Sequence, residues 1–145
     1  MNNLAEKAVT YYSQVHNLNC AEATINAANE VYSLKLNKDT LRAMAAFGGG
    51  MGVGSVCGAL TGALAVLGVM FVKDKAHEST ETKEMASEFF NRFVEKLSTE
   101  NCTTLKEMYR DDITKCDLVV RYSNEILEEM INKRFNKEKI KITED

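Results

Sequence analysis

From Val53 to Val72 the chain carries no charged residue, and Gly58, Gly62 and Gly68 fall inside that stretch at positions that read as one helix. Glycine costs a helix interior about 1 kcal/mol relative to alanine, so the segment gives up stability for something else. An uncharged run of this length has two destinations. A membrane span needs about 20 apolar residues and is usually flanked by basic or aromatic anchors. A helix that is apolar all round also suits the middle of a bundle. Here the preceding stretch, GGGMGVG, lacks such anchors, and the segments on either side are amphipathic. The spacing of Gly58, Ala59, Gly62 and Ala63 is found in both settings and does not separate them. The reading is a buried central helix from Ser55 to about Val72, with no membrane span.

The surrounding segments supply the stripes that such a helix would cover. There is no proline, and the punctuation is Gly, Asn, Asp and Thr between runs of helical period. Leu4, Ala8, Tyr11 and Val15 mark a first helix ending near His16 and Asn17. Asn19 with Glu22 reads as a capping box for a second, with Ala21, Ile25, Ala28 and Tyr32 on its apolar side. Asn37 or Asp39 caps a short third helix carrying Leu41, Met44 and Ala45. A fifth begins near Ser79 and presents Met85, Phe89, Phe93 and Leu97. Thr104 with Glu107 reads as the box of a sixth, through Leu105, Met108 and Tyr109. The last starts after Thr114 and offers Leu118, Tyr122, Ile126 and Met130. The class is all-α: one compact helical bundle over residues 1–135, then a charged tail, 136–145, expected to fray.

Several functions lose support at once. A net charge of −3 does not suggest a nucleic-acid surface. No Ser/His/Asp or paired-carboxylate arrangement supports hydrolysis. The polar start, MNNLAEKAVTYY, lacks the features of a secretory signal, so the expected compartment is a reducing cytoplasm. Four cysteines there need a reason other than disulfide stapling.

Cys20, Cys57, Cys102 and Cys116 each fall at the expected start of a helix. Helix N-termini carry partial positive charge and free amides, which favour thiolate, the form that binds metal or attacks a disulfide. Their spacing matches no C-x-x-C motif, and as small hydrophobes they could equally be core. Gly48, Gly49, Gly50, Gly52 and Gly54 before Cys57, with Gly58 and Gly62 after it, leave amides uncovered and room beside its sulfur. That makes Cys57 the expected centre of any chemistry. GGGMGVGS lacks the lysine and preceding strand of a phosphate loop, so it reads as a tight turn. His16 and His77 read as surface residues, and the phenylalanines of EFFNRFVEKL as core.

NCAEA around Cys20, CGALTG at Cys57, CTTL at Cys102 and the lone Cys116 resemble the four-cysteine family of redox-active proteins defined by a CGAxxG motif. The resemblance spans roughly Ala8 to Glu128. It implies a redox-active protein, and a similar module in split-Soret cytochromes implies an iron–sulfur cluster. No C-x-x-C-H is present, so haem attachment is not implied. The expected function is electron transfer through an iron–sulfur cluster on the four cysteines, with an unidentified redox partner. The alternatives are thiol–disulfide cycling without cofactor, and a bundle with structural zinc or free thiols. The Gly/Ala face of the central helix also leaves room for a second subunit.

Overall fold

The structure, a computed structural model, describes residues 3–144, with side chains as far as residue 140. The described residues form seven α-helices: α1 Leu4–Tyr12, α2 Cys20–Val31, α3 Lys38–Arg42, α4 Gly58–Phe71, α5 Thr80–Leu97, α6 Cys102–Tyr109 and α7 Asp117–Glu144. The protein is all-α, with only isolated bridging pairs among the described residues, Val56 with Asn101 and Asp111 with Lys115. α7 carries helix through the charged segment to Glu144, and Asp145 lies outside the described residues.

Four helices start by one device. Asn3, Asn19, Asn37 and Asn101 each accept a hydrogen bond through Oδ1 from the amide three residues on, at 3.3, 2.9, 2.8 and 2.9 Å. At Asn19 the reciprocal bond from its amide to Glu22 Oε1 completes the expected box. α6 corrects the reading of Thr104 as a cap. The cap is Asn101, and Thr104 is the residue that donates to it through both amide and hydroxyl. α1 also ends earlier than expected, at Tyr12. The Ser13 hydroxyl takes the Thr10 carbonyl at 2.7 Å and its ψ of 156° leaves the helix, so Val15 stands 89% exposed instead of joining the stripe.

α4 begins at Gly58, with Cys57 rather than Ser55 at its cap. Left-handed turns consume the residues before it. The remaining 14 residues span about 21 Å, short of the roughly 30 Å of a hydrocarbon core. No helix among the described residues is long and apolar enough to cross a membrane. α4 packs on α2, α5 and α7, burying Gly58, Ala59, Leu60, Gly62, Ala63, Val66 and Leu67. Its small-residue face is thus covered within the chain. A Cβ at Gly62 would stand 2.9 Å from the Ala21 carbonyl of α2, so this face has no room for a second subunit.

α5 contributes Phe89, Phe93 and Leu97, all fully buried, as its period requires. α7 departs from the expected register. Leu118 is exposed, whereas Val119, Val120, Ser123, Asn124, Leu127 and Ile131 are buried beside Ile126 and Met130. Two of these are polar and paired: Ser123 donates to Ala59 O at 3.2 Å, and Asn124 Nδ2 to Val120 O at 2.8 Å and Thr24 Oγ1 at 3.3 Å. A stripe drawn through hydrophobic letters alone passes over them.

Candidate functional site

The capping box at Asn19 makes Cys20 the first residue of α2, and the Asn19 Nδ2 donates to Ala45 O at 2.9 Å, tying this helix start to the chain leading into the glycines. There Gly49, Gly50, Met51 and Gly52 all have φ between 60° and 76°, a turn of left-handed backbone. Such a run suits glycine because a Cβ meets the following carbonyl. The turn closes with Ser55 N donating to Gly50 O at 3.0 Å and presents the Gly49 amide to the Cys20 sulfur. The glycines expected to form a tight turn do so, and the turn serves a thiol. Gly48, with ordinary φ, packs on the Asn19 side chain, and Gly54 packs on Thr103.

Cys57 and Cys102 are joined through the backbone. Val56 and Asn101 form an antiparallel bridge in which Cys57 N donates to Glu100 O at 2.9 Å and Cys102 N to Ser55 O at 2.6 Å. The starts of α4 and α6 are clipped together as a result. Gly58 admits the third thiol: a Cβ there would lie 2.6 Å from Cys20 Sγ. Its missing side chain therefore clears space for a sulfur of this chain. Cys116 directly precedes α7, and its amide donates to the Tyr12 hydroxyl of α1 at 3.1 Å.

The outcome is one cavity of about 150 Å³ lined by all four cysteines, together with Tyr12, Asn19, Gly49, Leu105, Lys106, Arg110 and Val119. All four are free thiols; Cys57 and Cys102 are 5% and 6% exposed, and Cys20 and Cys116 are half-buried. Their acidities diverge. Hydrogen bonding from the Cys57 thiol, helped by the Gly49, Ala21 and Cys20 amides, pushes Cys20 down to about 7 against its burial. The same pairing, with burial, holds Cys57 well above the ordinary thiol value. Burial raises Cys102 and Cys116, while Lys106 and Arg110 pull both back. Cys20, not Cys57, is the more acidic thiol of the pair.

The family model described as Putative redox-active protein (C_GCAxxG_C_C) matches residues 18–130, a span that contains every one of these cysteines. The chain belongs to this family. No curated protein and no solved structure matches it. In this redox-active family member, three polar lining side chains escaped the sequence reading, as did the apolar Val119. Lys106 and Arg110 follow Cys102 at successive intervals of four, one face of α6, and that spacing was a usable signal. Tyr12 lies before the matched segment and 104 residues from Cys116, the cysteine it touches, so nothing local marked it. His16 and His77 are both exposed and line no part of the cavity.

Proposed function

We propose that this protein is an electron carrier whose Cys20, Cys57, Cys102 and Cys116 hold an iron–sulfur cluster. The observation that carries the reading is the convergence of four thiols, from four helix starts, on one small cavity. Soft sulfur donors suit iron, and a cluster of this kind supplies one-electron exchange when bound.

Among the described residues no three Cys, His, Asp or Glu side chains are gathered closely enough for a single metal ion. A tetrahedral zinc site would need its sulfurs about 3.8 Å apart. The cavity's all-sulfur donor set, with no nitrogen or carboxylate ligand among its lining residues, is one that an iron–sulfur cluster takes. The chain's own part is electrostatic and steric. The Gly49 and Ala21 amides donate toward Cys20, Lys106 and Arg110 offset thiolate charge, and Leu105 and Val119 keep apolar wall against the sulfurs.

A second reading, thiol–disulfide exchange, rests on the Cys57 thiol hydrogen-bonded beside the Cys20 thiolate. Either chemistry suits a reducing cytoplasm and a separate redox partner. The deciding experiment is absorbance with iron and acid-labile sulfide analysis on protein purified without oxygen. Bound iron and sulfide, lost in each Cys→Ser variant while helicity persists, is the expected result. A folded, reduced protein that takes up neither, even when both are supplied, would overturn the cluster; a Cys20–Cys57 disulfide formed reversibly in that protein would establish the second reading.

A further inference from the structure

Three of the four cysteines are fixed by the backbone that carries them. Cys20 follows a capping box, and Cys57 and Cys102 flank the bridge between Val56 and Asn101. Cys116 instead leaves a short turn, residues 111–115, whose internal bonds run between Asp111 and Ile113, Thr114 or Lys115. Its tie to the rest of the site is the 3.1 Å bond from its amide to Tyr12 Oη. Tyr12 is well placed for this. It ends α1, whose Leu4, Ala5 and Ala8 are buried, and α1 packs along α7. Leu4 N donates to Glu128 Oε2 at 3.3 Å, and Arg121 pairs with Glu6. The distance from Tyr12 to the start of α7 is therefore set by helix packing.

A phenol that accepts one hydrogen bond still has its own O–H to give. Tyr12 and Cys116 line the same cavity, which offers that O–H the Cys116 sulfur as acceptor. We infer that Tyr12 is a positioning residue of the redox site: one hydroxyl holds the Cys116 backbone and directs a hydrogen bond at its sulfur. The residue lies outside the segment that matches the family. The electronic half of this inference rests on the cluster reading. A donor to a ligand sulfur withdraws electron density and favours the more reduced state, which raises the potential.

The test is Tyr12→Phe in the full chain, with Tyr11→Phe as control, since the Tyr11 hydroxyl bonds Glu30 on the surface. In metal-free protein, amide exchange at Cys116 is expected to quicken at least tenfold in Tyr12→Phe, with Cys20 and Cys102 unchanged. In the iron–sulfur-loaded protein the midpoint potential is expected to move negative, and neither readout should move in Tyr11→Phe. Unchanged Cys116 exchange would overturn the positioning role whether or not a cluster forms. Quickened exchange with no loadable cluster in the parent protein would instead sink the cluster reading and leave the positioning intact. If Tyr12→Phe loses helical content, 3-fluorotyrosine in place of tyrosine reads the same bond without a packing change. Its more acidic phenol is a stronger donor, so the potential should rise, and a potential that stays put would remove the hydrogen bond to sulfur.

Discussion

Cys20 and Cys57 are neighbours with opposite tasks. Cys20 is half-buried, faces three amides and the Cys57 thiol, and is pushed down to about 7; Cys57 is buried and keeps its proton. A depressed thiol is deprotonated over the interval between its own pKa and the ordinary one. In metal-free, reduced protein, Cys20 is therefore expected to be alkylated first, its rate climbing as pH rises through about 7. The other three should respond only in more alkaline solution. Cys57→Ala removes the main donor, so the Cys20 midpoint should move up toward the ordinary thiol value. Peptide mass spectrometry after timed iodoacetamide treatment reads both, and Cys57 labelling ahead of Cys20 would contradict the assignment. The bare backbone around Cys57 was legible in the sequence, but its beneficiary was not. Gly58 clears space for the Cys20 sulfur, and the Gly49 amide reaches the same atom. Both contacts cross between segments that only folding brings together.

At the scale of the helix, the glycines of α4 are not equivalent. Gly62 faces the α2 backbone, with Ala21 O at 2.9 Å and Ala21 Cα at 3.1 Å from a Cβ, and backbone cannot step aside. Gly62→Ala is expected to cost about 1–3 kcal/mol through overpacking. Gly58→Ala should displace the Cys20 sulfur and lower iron and sulfide content more than it lowers the unfolding midpoint. Gly68 has nothing within 4 Å of its Cβ position, so Gly68→Ala should stabilise by up to about 1 kcal/mol. Denaturant midpoints of the three variants check the order, and equal effects would refute the packing argument. Helix existence and type were legible wherever apolar residues alone formed the stripe, as in α5, and wherever Asn19 or Asn37 supplied a cap. Legibility failed at α1, where the Ser13 hydroxyl competes for a helix carbonyl, and at α7, where Ser123 and Asn124 are buried by virtue of their hydrogen bonds. Lys106 on α6 and Arg110 at its C-terminal cap bring cations to the cavity. Replacing both by alanine should shift the loaded protein's potential negative, because thiolate charge then goes less compensated; an unchanged potential would mean that solvent already screens them.

Across the whole molecule, the site is a meeting of chain segments from Tyr12 to Val119, and no spacing rule on one sequence announces such a meeting. The all-α class was legible from periodicity, whereas the convergence depends on the Val56–Asn101 bridge and on α1 lying along α7. This architecture has an energetic consequence. α6 has eight residues, too few for a stable helix alone, and packs chiefly on the glycine turn and α7. Its ties include Cys102 N to Ser55 O, Asn101 Nδ2 and Thr103 Oγ1 to Gly54 O at 3.1 and 3.2 Å, and Tyr109 Oη to Leu97 O at 3.3 Å. A group held by Cys20, Cys57, Cys102 and Cys116 would add a cross-link among α2, α4, α6 and α7. Anything that binds the folded state alone stabilises it, by about 2.7 kcal/mol at a hundred times its dissociation constant. Chelation of iron from anaerobically loaded protein is thus expected to lower the unfolding midpoint. The accompanying rise in amide exchange should concentrate in Cys102–Tyr109 and the following turn, leaving Phe89 and Phe93 of α5 protected. Hydrogen exchange with mass spectrometry on loaded and chelated samples makes the comparison. Equal protection of α6 in the two samples would mean that nothing bound at the thiols joins these helices.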